Sequence, residues 1–436
     1  MRLFCPKACR CAPPLAAPSM SSIPPAPHER TVFSVLASGN DAIDIALWQA
    51  LRDVLLWASA TPEMRRTLFR TPPGTAIEAR IEAAAQAAPL LADPLAAFAR
   101  IRMVPDQLAS QPLARACDQV YDWAEGAGLA AIAVHFAEAS AYVEPLNPRW
   151  AVRAGYMTRV AAGETMFARS EVWHARAFSL AVQARDREMA LRALTGIGAL
   201  RHDLGDYAGA RRCYLRAAHR AEGWNRTRRA AVALHYAFVV DVETGHYRVA
   251  VRDASAALRR YPLHDERLPA LVHDVAYLLV QKHHYATALR LVDGLGDRVD
   301  GLAPKAMLYG IAARAAAAVG DEGSYEAAAE YALNVARLND ECAGPVFVNL
   351  AEAARFLGHW EAGAGHAGRA LAVARRRGDA ELVRMATELT RQIKRREPPP
   401  SPSEPSPDSP LATLARRLAA RLRRWRRYQR GAGVEV

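Results

Sequence analysis

His235 and His273 stand 38 residues apart, with Tyr236 beside the first and Asp274 beside the second. Imidazoles next to a phenol and a carboxylate are the residue types of acid–base work or of a metal site, and either use requires them to converge on one point. Spacing alone does not supply that convergence. His246, His283, His284 and His359 fall where exposed corners between helices are expected. Cys5, Cys9 and Cys11 cluster in the proline-rich stretch "MRLFCPKACRCAPP", but no second ligand pair follows at zinc-site spacing. Cys117, Cys213 and Cys342 sit singly inside apolar helical patterns, where a thiol behaves as a small hydrophobe. The phosphate-cradling, dinucleotide, elbow-serine and zincin motifs are all missing. The sequence therefore predicts no catalytic residue, no metal ligand and no cofactor, and the expectation is a protein that is not an enzyme.

The second group with chemical reach is a set of arginines near the C-terminus. The chain carries +12, and residues 409–430 hold eight arginines and no acid, so everything else amounts to +4. A body coated with nucleic acid is not what that charge distribution predicts. The dominance of Arg over Lys, with heavy Ala use, points to a GC-rich, bacterial genome. In "SPLATLARRLAARLRRWRRYQR", Ser409 is placed to cap a helix and Pro410 suits its first turn. Leu411, Leu414, Ala415, Leu418, Leu422 and Trp425 share one face and the arginines lie outside it. Four uses fit a basic amphipathic helix of this kind: lying on an anionic membrane, binding nucleic-acid phosphates, docking on a partner groove, or folding back on its own chain. Arg416, Arg417, Arg421, Arg423, Arg424, Trp425, Arg426 and Arg427 are the candidate contacts.

What must position these groups is a repeat. A small residue, an aromatic two further on and a small residue three after that recur at Gly205/Tyr207/Ala210, Gly245/Tyr247/Ala250, Gly323/Tyr325/Ala328 and Gly358/Trp360/Gly363, with His283/Tyr285/Ala288 as a variant. The aromatics follow one another by 40, 38, 40 and 35 residues, the period of a two-helix unit. Glycine permits the positive φ that ends a first helix, the aromatic fills the space between the paired helices, and small residues allow close approach.

"LGDYAGARRCYLRAA" and its relatives resemble the tetratricopeptide repeat, with Leu194, Ile197 and Gly198 in the first helix, Tyr214 in the second, and Pro262 closing a unit. The first-helix Trp of that family is absent and the period exceeds its usual length. The resemblance implies an all-α, right-handed superhelical solenoid of antiparallel helix pairs whose concave groove binds a peptide or a partner helix. In that register the groove-lining residues are Arg159, Arg192, His202, His235, His273, Tyr277, Glu352 and Arg355. The Lys/Asn carboxylate clamp of the family's chaperone-binding members is not matched.

Around the array, "AIDIALWQALRDVLLWAS" carries a helical stripe of Ile43, Leu47, Leu51, Val54 and Leu55, with Asn40 or Asp41 as its cap. The expected organisation is a disordered leader at 1–30, with Met20 as an alternative start, and helical capping repeats at 31–112. A repeat array at 113–396, an extended Pro/Ser spacer at 397–409 that does not pack, and a tethered helix at 410–430 follow. A helix-turn-helix in 31–112 is the alternative, supported locally by the basic run "EMRRTLFR". The absence of an apolar span or a secretory signal predicts a cytoplasmic chain, membrane-peripheral if the tail meets lipid. An interaction or regulatory scaffold is the expected function, with a nucleic-acid-binding regulator or a membrane-peripheral adaptor as alternatives.

Overall fold

A computed structural model describes residues 38–69, 75–161, 164–295, 298–299, 301–377 and 379–431. The leader with Cys5, Cys9 and Cys11 lies outside the described residues, as do the side chains of Arg426 and Arg427. Every regular element among the described residues is helical, and none of these helices is long and apolar enough to cross a membrane. Two compact units divide the chain at Arg220 and Ala221.

The first unit begins with α1 (Asp41–Ser59), whose first turn is closed by Asn40 Oδ1 accepting from the amides of Ala42 and Ile43. Its apolar stripe is buried against α3 (Thr75–Ala87), α4 (Ala92–Met103) and α6 (Ala130–Val143). A short α2 (Pro62–Leu68) intervenes, and its arginines are engaged at home: Arg65 lies 3.6 Å over the Trp57 ring and Arg66 pairs with Asp106 at 2.9 Å. The stripe of α1 is thus buried within the unit, while α2 stays exposed on its surface. Helices α5 (Ser110–Gly126), α6, α7 (Pro148–Ala161), α8 (Glu164–Gln183) and α9 (Arg187–Asp203) then pack each against the next. One core runs from Ile43 to Ala193.

Helix α10 (Tyr207–Gly223) contains the division between units. The second unit stacks the pairs α11 (Thr227–Glu243) with α12 (Tyr247–Arg260), α13 (Leu268–Gln281) with α14 (Tyr285–Leu295), α15 (Leu302–Val319) with α16 (Glu322–Ala336), and α17 (Asp340–Phe356) with α18 (Trp360–Arg377). Helix α19 (Ala380–Lys394) follows, and α20 (Pro410–Gly431) ends the chain. Consecutive helices joined by short turns and packed pairwise make an all-α solenoid of helical hairpins.

The corners close alike. At Gly245, φ +76°, the amide of His246 reaches back to the Asp241 carbonyl at 2.8 Å and that of Gly245 to Val242 at 3.1 Å, a Schellman ending. Gly205 and Gly358 repeat it, and His283 adopts the same left-handed conformation with a full side chain. One corner is displaced from the sequence register. Gly320, not Gly323, takes the positive φ, because Asp321 caps α16 through the Ser324 amide and starts that helix early. The aromatic plugs are unequal as well. Tyr285 is fully buried with Phe356 edge-on at 5.1 Å, whereas Tyr207 and Tyr247 are half-buried at their corners, Tyr247 beneath the Lys282 ammonium at 3.3 Å.

Helices α7, α8 and α9 approach one another closely around His174. A Cβ on Gly196 would stand 2.2 Å from His174 Cε1, and one on Gly155 would stand 2.8 Å from Nδ1. The enclosed imidazole is 2% exposed, and neither ring nitrogen finds a partner. Burial drives its pKa from 6.5 down to about 3, so it folds neutral. The unfolded chain takes up this proton below pH 6.5 and the native chain does not, so the contribution is complete above pH 6.5 and is lost as pH falls toward 3. In urea titrations, His174→Leu is expected to flatten the stability profile across that window relative to the parent. Gly196→Ala should destabilise by about 1–3 kcal/mol through overpacking, and adding His174→Ala should restore most of it.

Candidate functional site

Six of the eight residues assigned by register to a groove fall into three separate groups, each gathered by a carboxylate. In the first unit Asp203, at the end of α9, accepts from Arg159 at 2.6 Å and lies 3.6 Å from His202, whose ring meets Tyr207 edge-on. Burial works to raise the Asp203 carboxyl, but the His202 and Arg159 contacts outweigh it and hold it below the usual range. Arg192 is exposed on α9 with Glu188 3.9 Å away.

In the second unit Asp274 bridges His235 Nε2 and His273 Nδ1, both at 2.8 Å. Burial again pushes the carboxyl upward, and the two imidazole bonds more than reverse it, holding Asp274 well below the carboxylate range. An ionised Asp274 has no proton to donate, so His235 Nε2 carries the hydrogen of that bond, and Nδ1 lies 3.3 Å from the Tyr261 hydroxyl. His235 is only 4% exposed. It is a core histidine tied on both sides, not the groove reader that the register implied. His273 and Tyr277 are half-buried.

Glu352 forms the third node, with Arg355 at 2.8 Å and Arg314 at 3.7 Å. Arg355 is likewise buried and faces its own chain, donating to Gln392 Oε1 at 2.9 Å and to the Glu397 carbonyl at 3.1 Å. No group of three or more His, Cys, Asp or Glu side chains among the described residues is arranged to hold a metal ion.

The C-terminal segment supplies the geometry that the groove residues do not. Helix α20 starts with Ser409 Oγ accepting from the Ala412 amide and packs on α12 and α14. Leu414 and Leu418 are fully buried there and Leu422 is 1% exposed. The apolar stripe is therefore covered by the chain itself, which is the fold-back use among the four. Arg421 donates to the Leu258 carbonyl at 3.1 Å and to that of Tyr261, where α12 ends and its dipole favours a cation. Burial lowers the pKa of this guanidinium. Trp425 stands 6.0 Å from the His264 ring with Arg298 5.5 Å above it. Arg416, Arg417, Arg423 and Arg424 remain exposed.

The preceding segment was expected not to pack, and it does. The Ser403 amide donates to the His283 carbonyl at 2.8 Å, and its hydroxyl is 3.1 Å from His284 Nδ1. Glu404 accepts from Thr287 Oγ1 and, at 3.4 Å, from Arg290. Side-chain partners compensate for a proline-rich backbone with few donors of its own.

Sequence reasoning missed Tyr261, Thr287, Arg290 and Arg314. Arg314 was findable, because Arg159/Asp203, His235/Asp274 and Arg314/Glu352 are separated by 44, 39 and 38 residues, each close to one repeat period. Thr287 and Arg290 meet a partner more than a hundred residues away, and no local pattern marks them.

No family model matches the chain, and no curated protein does. Among solved structures it is similar to the TPR2AB-domain:pHSP90 complex of yeast Sti1 at 12% identity, covering 65% of this chain and 99% of that one with a TM-score of 0.27. It is also similar to a circular tandem repeat protein with novel repeat topology and enhanced subunit contact surfaces, at 14% identity over 91% and 100% of the two chains with a TM-score of 0.16.

The Asp274 node is testable by itself. Breaking it with His235→Ala or Asp274→Asn is expected to destabilise by about 1–3 kcal/mol, because a buried polar group loses its partner. A double-mutant cycle on denaturation midpoints should give a coupling of at least about 0.5 kcal/mol; additive losses would mean that the pair does not act as one unit.

Proposed function

We propose that the chain is a protein-interaction scaffold built of tetratricopeptide-like helical hairpins, and that its second unit takes an extended peptide joined to an amphipathic helix. The observation that supports this is the occupant already there: residues 397–425 of the same chain lie along helices α12 to α14 and α17, held by backbone, carboxylate and leucine contacts. A surface that accommodates that combination in cis has the shape and the hydrogen-bonding groups to accommodate it from another protein. No catalytic role is assigned to any residue.

The outward arginines support a second reading. With the leucine stripe facing inward, Arg416, Arg417, Arg423 and Arg424 can meet a polyanion without any apolar insertion. Purification of the tagged full chain from its host at two salt concentrations separates the readings. A defined protein bound in stoichiometric amount, retained at higher salt and lost on Thr287→Ala with Arg290→Glu, is the outcome expected of the scaffold. Recovery of nucleic acid alone, released steeply by salt, would replace the scaffold with a polyanion binder.

A further inference from the structure

The contacts under the proline-rich segment are selective in a way that a passive spacer does not need. Reading along the segment, Arg355 takes a backbone carbonyl at Glu397, the His283 carbonyl takes a backbone amide at Ser403, and His284 meets the hydroxyl of the same residue. Thr287 and Arg290 then take the carboxylate of Glu404. His283, His284, Thr287 and Arg290 all come from one hairpin corner and the first two turns of α14. At that corner His283 holds φ +61° without being glycine, as Arg185, Asn225 and Arg396 do at theirs. A left-handed conformation is disfavoured for a side-chain-bearing residue. Here it sets the His283 carbonyl against the segment and keeps the His284 ring next to it.

The segment is also suited to be exchanged. Its prolines hold it extended in advance, so little conformational freedom is lost on docking. Ser403 and Glu404 are exposed, and bonds of this kind between exposed groups are individually weak. What retains them is the tether to α20, whose leucine stripe is buried, and a tether of this kind supplies a local concentration in the millimolar range.

We propose that the α13–α14 corner, together with Arg355, is a docking site for an extended, proline-flanked Ser–Glu sequence, and that residues 397–409 are its resident occupant, displaceable by a partner carrying the same pattern. This deepens the scaffold reading and rests on it. The partner is a protein segment that offers a hydroxyl followed directly by a carboxylate, in a polyproline-like stretch that presents a free carbonyl six residues upstream. Docking of the chain's own tail is then a competitor in cis, and the site is fully available only when α20 is released.

The test uses the full chain and a fluorescent peptide of residues 397–430 as probe. Leu418→Asp places a charge in the buried stripe and releases the resident tail, which amide hydrogen exchange across 411–425 verifies. The probe is expected to bind the Leu418→Asp chain at least tenfold more tightly than the unsubstituted chain. Glu404→Lys in the probe, which leaves the leucine stripe intact, should weaken that binding at least fivefold, and Arg290→Glu in the released chain should do the same. Equal affinity of the two chains, or a Glu404→Lys probe that binds as well as the original, overturns the proposal. Should Leu418→Asp prevent folding, Arg421→Glu is the second releasing variant, since it loses two carbonyl contacts without placing a charge among the leucines. A partner captured as above that binds with α20 still protected from exchange would sink this inference and leave the scaffold. Failure to capture any protein would sink the scaffold and leave the peptide result unmoved.

Discussion

Close approach of neighbouring helices is the constraint on which the rest of this structure depends. Alanine dominates the buried positions, and glycine appears where two helices meet a ring: Gly155 and Gly196 against His174, Gly198 against Tyr214. Small side chains bring backbones together, and dispersion between them is favourable, but each buries less apolar area than a leucine would. A stack made this way draws less on the hydrophobic effect per residue and leaves more to corners, caps and polar contacts between repeats. It also tolerates little enlargement, because a single methyl at Gly196 has nowhere to go.

The polar contacts follow the same periodicity as the small residues. A residue on one first helix lies beside the residue one period later on the next first helix, so Arg159 meets Asp203, His235 meets Asp274 and Arg314 meets Glu352. These pairs are partly or wholly sheltered, which sets them apart from surface ion pairs of negligible effect. Their chief consequence is register: a slip of one helix against the next would leave buried His235 and Arg355 facing apolar neighbours. His235 and Arg355, two of the residues that the register places in the groove, are here tied to the neighbouring helices.

Legibility followed locality. The helical hairpins, their corners at Gly205, Gly245 and Gly358, and the amphipathic tail could all be read from residues within a few turns of one another. The Gly320 corner was misread by three residues because the competing cap, Asp321 to Ser324, lies in the same short stretch and won. Full burial of Tyr285 but not of Tyr207 or Tyr247 depends on Phe356, which arrives from a different hairpin. An apolar stripe on a helix states that something must cover it and not what does. That Arg421 would find the carbonyls of Leu258 and Tyr261, more than 150 residues away, is a property of the folded chain.

The orientation of α20 also orders the uses open to the arginines. Rotation about the helix axis is fixed by Leu414, Leu418 and Leu422, which turn Arg416, Arg417, Arg423 and Arg424 outward. Contact of those four with a phosphate-bearing surface requires no rearrangement, so docking and polyanion binding are compatible and additive. Insertion of the leucines and Trp425 into a lipid interface is different, since the same atoms cannot be buried in two places. Lipid insertion must first remove the stripe from α12 and α14 and give up the Arg421 contacts at the end of α12. Burial of the stripe on α12 and α14 and its insertion into lipid are therefore mutually exclusive states of the same atoms.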